Sequence, residues 1–362
     1  MAQNKEKSKF RSFLNKKGIT LSPKLYFVDA MSAMALGLFA SLLMGTIFGT
    51  VAKYIPDGNA IREFFDLLAG AGGATGAVIG IAIAYALKAP MLVMLSAGVV
   101  GMFGNAYGST LMFEGAAKSV TAGPLGAFVC VLLAVEIGKL VSKSTKVDIL
   151  VTPAVTLGAG ALVAMLLCPG IAYLMYWLGY FINYATGLYP LVMGIIISVV
   201  VGIVLTLPIS SAAICAMIGI TGIAGGAAVA GCCAQMVGFA VISFRENKWG
   251  GVVAQGLGTS MLQMGNIVKN PLIWIPATLA SAITGPISTC IFGLECSGVS
   301  AGMGTCGIVG PLGVFTDMGF NVNSIVGVIL VCLVLPAILS LVFSEIMRKL
   351  GWIREGDMKL DL

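Results

Sequence analysis

The chain reads as an all-α, polytopic membrane protein with about ten transmembrane helices, re-entrant Gly-rich hairpins and an internal repeat. Three observations predict this. First, 58% of its 362 residues are hydrophobic and 10% charged, whereas a soluble domain carries about 25% charged residues. Second, the 96 residues from Ile149 to Phe244 contain no Asp, Glu, Lys or Arg. At roughly 20 apolar residues per pass, that stretch alone supplies about four passes. Third, one order of motifs occurs twice. Arg62-Glu63, Lys88-Ala89-Pro90, Glu114, Gly123-Pro124-Leu125-Gly126 and Glu136-Ile137-Gly138-Lys139 recur as Arg245-Glu246, Lys269-Asn270-Pro271, Glu295, Gly310-Pro311-Leu312-Gly313 and Glu345-Ile346-Met347-Arg348. The step from Lys to Glu is 26 residues in both copies. A duplicated apolar chain with one acid per copy is the pattern of a solute transporter. The continuous apolar runs exclude a β-barrel, which needs alternation.

The expected spans are Phe27–Val51, Leu67–Leu87, Met91–Tyr107, Ala117–Val141, Leu150–Ile182, Leu188–Leu207, Ile209–Phe244, Val252–Val268, Leu272–Phe292 and Ser324–Ile346. The first is too long for a signal-peptide core and stays as a spanning helix. Leu150–Ile182 exceeds one perpendicular pass and contains Pro169, which predicts a tilt or a kink. Ile209–Phe244 holds six glycines and reads either as two short segments or as a broken helix. The repeat copies cover about residues 60–140 and 243–350. Their basic ends suggest a parallel repeat, and the weak charge bias around Arg62 and Arg245 leaves inversion open.

Positive charge gathers at residues 1–24, at Lys139, Lys143 and Lys146, and in the tail at Arg348, Lys349, Arg354 and Lys359. The positive-inside rule places all three regions in the cytoplasm, so the number of passes is even. The expected organisation is a basic cytoplasmic segment at 1–24, a membrane-embedded domain at 25–347 and a cytoplasmic tail at 348–362. Phe10, Phe13 and Leu14 recur at helical spacing among the N-terminal lysines. An amphipathic helix on the inner leaflet and a disordered basic tail both fit them.

The chemistry available is limited. The chain has no histidine and no P-loop, which removes the commonest general base and nucleotide hydrolysis. The nine cysteines lie in apolar or Gly-rich context with no Cys-x-x-Cys pair and read as small buried hydrophobes. No metal and no cofactor is expected, and the chain reads as a transporter subunit, not an enzyme. Trp177, Trp249, Trp274 and Trp352 fit an aromatic belt, and Lys88 and Lys269 fit interfacial anchors.

The candidate solute ligands are Glu295, Glu114, Asn105, Gln235, Gln255, Gln263, Asn266, Gly302, Gly304 and Thr305. Charge at a helix centre costs about 2.5–3.5 kcal/mol on insertion, so an acid kept in both copies reads as functional. Such a carboxylate can accept hydrogen bonds from sugar hydroxyls, or bind a cation or proton. Asn105 marks a turn-like break at the end of an apolar run. Gln255, Gln263 and Asn266, at offsets of 8 and 3, share one face of an expected helix. That face suits polyol recognition and suits interhelical hydrogen bonding equally. Ser297–Gly307 has four Gly and three hydroxyl residues in eleven and predicts a re-entrant loop with exposed amides. Gly70-Ala71-Gly72-Gly73 and Gly225-Gly226 predict close helix approach.

Pro208-Ile209-Ser210-Ser211-Ala212-Ala213, Gly231-Cys232-Cys233-Ala234-Gln235-Met236, Ser243-Phe244-Arg245-Glu246-Asn247, Gln255-Gly256-Leu257-Gly258-Thr259-Ser260 and Gly302-Met303-Gly304-Thr305 together resemble the PfoR-type (perfringolysin O regulator-like) branch of the phosphotransferase-system enzyme IIC membrane proteins. The resemblance implies a bacterial inner-membrane permease of about ten helices, usually a homodimer, and the expected function is translocation of a small polar solute, a sugar or sugar-like compound, by alternating access. It implies that Glu295 is the acid holding the sugar beside a re-entrant hairpin, and that any phosphoryl transfer needs separate IIA and IIB proteins. A membrane-embedded solute sensor and an ion-coupled transporter of another metabolite are the alternatives.

Overall fold

The computed structural model describes residues 17–20, 22–53, 55–113 and 116–360. The basic stretch around Phe10, Phe13 and Leu14, and Glu114, lie outside them. Seven helices among the described residues are long and apolar enough to cross a membrane: α1 (Leu25–Lys53), α2 (Ala60–Ala86), α4 (Gly123–Val141), α5 (Asp148–Thr186), α8 (Gly222–Ile242), α11 (Pro271–Phe292) and α13 (Val322–Lys349). Three shorter apolar helices are α3 (Met91–Ala106), α6 (Pro190–Thr206) and α12 (Cys306–Met318). Shorter elements include α7 (Ser211–Ile218), α9 (Phe244–Val253), α10 (Met264–Lys269) and a two-stranded sheet of β1 (Gly108–Phe113) and β2 (Ala116–Thr121).

Three spans differ from the sequence expectation, and a fourth, Ile209–Phe244, follows its two-segment reading. Ala117–Val141 is not one helix. β2 occupies its first residues, and Gly123, at φ 59°, turns the chain into α4 with Pro124 in the first turn, where proline's missing N–H costs no hydrogen bond. Ile209–Phe244 divides into α7 and α8 at Gly219, which takes the left-handed conformation (φ 65°, ψ 39°) open to a residue without Cβ. Leu150–Ile182 extends to the 39 residues of α5, with Pro153 and Pro169 inside. At 1.5 Å per residue that is about 58 Å, twice a hydrocarbon core. Val252–Val268 is broken. A π-turn at Ala254–Gly258 is followed by extended Thr259 (φ −159°, ψ 142°), a 3₁₀ turn at Ser260–Gln263 and α10. Gly256 and Gly258 weaken the helix there, and the Thr259 hydroxyl accepts from Met261 N at 3.2 Å, capping the restart.

The chain folds as two compact units. One comprises residues up to Ser41, Gly73–Ser109 and Thr121–Ala172. Small residues bring its helices together. A Cβ on Gly80 would lie 2.1 Å from the Ala97 carbonyl oxygen, and one on Gly101 2.1 Å from that of Gly76, so Gly76/Gly80 and Ala97/Gly101 form a small-xxx-small contact. Lys139, fully buried, reaches Glu136 at 3.1 Å and the Gly18 carbonyl at 3.4 Å.

The second unit comprises Leu42–Gly72, Thr110–Val120 and Tyr173–Leu362. Its axis is α8, which packs against α6, α11 and α13. A Cβ on Gly231 would lie 1.9 Å from the Ser198 carbonyl oxygen of α6. Ser281 on α11 donates to Gly231 O at 3.3 Å. Eight of the nine cysteines are buried, and Cys290 alone is exposed. At the end of α8 the repeated charges meet. Arg348 Nη2 is 2.9 Å from Glu246 Oε1, with the two side chains 11% and 4% exposed, while Arg245–Glu345, also 2.9 Å, is 61% and 39% exposed.

Candidate functional site

α11 ends at Gly293, whose φ of 54° reverses the chain into an extended run, Leu294–Ser297. That run lies antiparallel to the α7–α8 connection. Cys296 N donates to Gly222 O at 3.2 Å and Gly298 N to Ile220 O at 2.9 Å. Its carbonyls press on the first turns of α8. A Cβ on Gly225 would sit 1.7 Å from Cys296 O, and one on Gly226 1.7 Å from Leu294 O. Gly225-Gly226 therefore admits extended backbone, not the neighbouring helix that the sequence suggested. Side chains on an extended strand alternate. Leu294 and Cys296 are fully buried, and Glu295 between them is exposed. Its N–H meets Met318 Sδ at 3.2 Å, and no described residue pairs with its carboxylate.

The Gly-rich run that follows is not a loop with exposed amides. Gly298–Ala301 makes one helical turn, Ala301–Cys306 are buried, and the amides of Gly302, Met303, Cys306 and Gly310 all donate to backbone carbonyls. Gly302 lies against the Ser211–Ala212 backbone and accepts from Ser211 Oγ at 2.7 Å. Gly304, at φ 56°, lies against Cys232 and Cys233 of α8. Thr305 donates to Gly256 O and, at 3.6 Å, to Met236 Sδ. These three candidates thus seat the run on α7, α8 and the Ala254–Gly258 turn through contacts within the chain.

A cavity of about 270 Å³ opens beside this run, lined by Thr50 and Lys53 of α1, Ser300, and Val309, Leu312, Gly313 and Thr316 of α12. It is slightly below the ~300–1,000 Å³ common for small-molecule sites. The Thr50 and Thr316 hydroxyls donate to Thr46 O and Leu312 O, at 2.8 and 2.9 Å. Among the described residues, Lys53 Nζ and Ser300 Oγ have no partner. One uncommitted cation and one uncommitted hydroxyl, with two further hydroxyl oxygens that can still accept, make a lining for a small polar molecule. The sequence reading missed Lys53, Thr50 and Thr316, because α1 carries no motif and its end meets α12 only through the fold.

The amide candidates fall into two groups. Gln235 is fully buried at a junction of α6, α8 and α11. Its Oε1 accepts from Trp274 Nε1 at 3.0 Å and Thr206 Oγ1 at 3.4 Å, and its Nε2 donates to Thr278 Oγ1 at 3.2 Å. Trp274 is therefore a hydrogen-bond donor inside the fold, not a free belt residue. Although their helix is broken, Gln255, Gln263 and Asn266 do form one row. Gln263 Nε2 donates to Gln255 Oε1 at 3.0 Å, and Asn266 Nδ2 to Gln263 Oε1 at 2.9 Å. Lys269 Nζ joins it at Asn266 Oδ1, 3.3 Å. The row faces the C-terminal segment, and Met358 O and Lys359 O are its acceptors. Asn105 is half-buried at the end of α3, in the other compact unit, without a hydrogen-bond partner among the described residues.

The family model described as "Phosphotransferase system, EIIC" matches residues 28–360. The chain belongs to that family. This enzyme IIC is thus a multi-span membrane component of a phosphotransferase-type permease. No curated protein and no solved structure matches it.

Proposed function

We propose that this enzyme IIC translocates a small polar, sugar-like solute by alternating access, with the solute held by the segment Glu295–Thr316. The observation that carries the reading is the cavity of Lys53, Thr50, Ser300 and Thr316, beside a run that begins at an exposed, unpaired carboxylate. Donors and acceptors that the protein leaves unused are what a polyol needs, because each hydroxyl both donates and accepts. Glu295 supplies acceptors at the start of the run that carries Ser300 into the cavity lining, and Glu114 and Asn105 are solute ligands on their sequence pattern alone. Gln235, Gln255, Gln263, Asn266, Gly302, Gly304 and Thr305 act behind the solute by holding the segment in place.

The PfoR-type motifs between Pro208 and Thr305 support assignment to that branch. The working protein is a homodimer in a bacterial cytoplasmic membrane with both termini inside, built on a repeated permease domain at 25–347. Separate IIA and IIB proteins phosphorylate the solute where phosphorylation occurs.

The test is a thermal-shift screen of the detergent-solubilised chain against sugars, polyols, nucleosides and organic acids, repeated with Glu295→Gln and Lys53→Ala. A ligand that binds only the folded state raises its apparent stability. Stabilisation by one class, lost in both variants, is expected. A hit that both variants retain removes the site from this segment. No hit with any polyol removes the sugar-like solute and favours the sensor or the ion-coupled carrier.

A further inference from the structure

We propose that the amides of Asn247, Gln263, Asn266 and Asn270 form a recognition site for peptide backbone. Its ligand is the chain's own segment Trp352–Leu360, and its occupancy positions the Gly302–Cys306 run. The segment reaches the site by a sharp reversal. α13 ends with Gly351 at φ 74°, Gly351 N donating to Arg348 O and Trp352 N to Met347 O, both at 3.0 Å, the paired bonds of a Schellman end. The amides then take its polar groups in turn. Asn270 Nδ2 donates to Trp352 O at 3.1 Å and to Asp357 Oδ2 at 2.8 Å. Asn247 holds the segment as a neighbouring strand would, giving Nδ2 to Met358 O at 2.7 Å and receiving Leu360 N on Oδ1 at 2.8 Å. Gln263 Nε2 adds a second bond to Met358 O at 2.9 Å, and Asn266 Nδ2 bonds Lys359 O at 2.8 Å. Ile353 and Met358, 2% and 0% exposed, are the apolar anchors.

Two features make this a site with an occupant. Gln263 is fully buried and Asn266 nearly so. Each spends one amide proton along the row and aims the other at the segment. Without the segment both protons lose their protein acceptor. The connection beneath is also poorly self-supporting. It passes through Lys248 at φ 51°, a π-turn, extended Thr259 and a 3₁₀ turn. The same connection carries Gly256, whose carbonyl receives the Thr305 hydroxyl, while Gln255 beside it accepts from Gln263. The segment thereby fixes the surface on which the Gly-rich run sits. Only this last step, toward transport, rests on the proposed solute role of Glu295–Thr316.

The test is a chain ending at Gly351, titrated with a synthetic peptide of residues 352–362. Truncation should lower the unfolding midpoint by several degrees and speed hydrogen exchange at residues 255–266 and 302–306. The peptide should restore both saturably, and its Met358→Asp version should not. Unchanged midpoint and exchange on truncation, or no rescue by the peptide, would overturn the proposal. If the truncated chain does not fold, full-length Asn247→Ala/Asn266→Ala is read instead. Faster exchange at Leu360 is expected, and retained protection there refutes the site. Solute binding is scored separately with Glu295→Gln, so peptide rescue without any solute hit upholds this site and fails only the solute reading.

Discussion

The stretch Arg62–Lys139 and the stretch Arg245–Arg348 share an order of motifs, and the fold uses the two differently. Some local outcomes agree. Lys88-Ala89-Pro90 and Lys269-Asn270-Pro271 both mark a helix start, and Gly123-Pro124 and Gly310-Pro311 fall in the first turns of α4 and of the α-helical part of α12, Val309–Met318. Each proline lies at the N-cap or within the first three positions of an α- or 3₁₀-helical run, where its missing N–H removes no helical bond. The partners do not agree. In the second stretch, Arg245–Glu345 and Glu246–Arg348 join segments about 100 residues apart. In the first, Arg62 pairs with its neighbours Asp57 and Asp66, and Lys139 with Glu136 one turn away. The connections diverge too. β2 fills the shorter one, and a turn-rich run seated on α8 fills the longer. Repeated sequence specifies where helices start. Which charges meet depends on the elements that pack around them.

That contrast can be broken experimentally, starting with the largest effect. Arg348→Ala leaves Glu246 without its cation, 4% exposed, and should cost about 3–5 kcal/mol. In the first stretch, Arg62→Ala, at the position that matches Arg245, removes a pair with Asp57, 90% exposed, and should cost below about 1 kcal/mol. Chemical-denaturant unfolding of both variants measures the difference, and equal losses would mean the two charge sets are equivalent after all. Gly226→Ala forces a Cβ to within 1.7 Å of a backbone oxygen and should cost at least about 1–3 kcal/mol. Gly73→Ala, with nothing within 4 Å, should stay within about 0.5 kcal/mol. The exposed Arg245–Glu345 pair should yield about 0.2–1 kcal/mol in a double-mutant cycle. Glu295→Gln should move the unfolding midpoint least, because the carboxylate has no partner to lose, yet it should abolish solute uptake. A large midpoint shift would recast Glu295 as a structural acid.

Helix placement was legible in sequence wherever a long apolar run or a Pro or Gly boundary decided it, as in α3, α6 and α8. Boundaries failed where chain length fits a helix and glycine or tertiary contact overrides it, as at Ala117–Thr121 and Thr259. The amides of Gln255, Gln263 and Asn266 were found by spacing, but not their acceptors, because nothing local links residue 263 to residue 358. Lys53 was invisible for the same reason. Glu295 stood out by rarity, since an acid in an apolar chain is conspicuous without any knowledge of its surroundings.

The distribution of thiols has a practical consequence. With eight cysteines buried and Cys290 exposed on the last turn of α11, a maleimide should attach at one equivalent without any engineered cysteine. The label would sit three residues before the Gly293 reversal and five before Glu295. The native protein thus offers a ready attachment point for a fluorophore or spin label, from which spectroscopy can follow the neighbourhood of the carboxylate in real time.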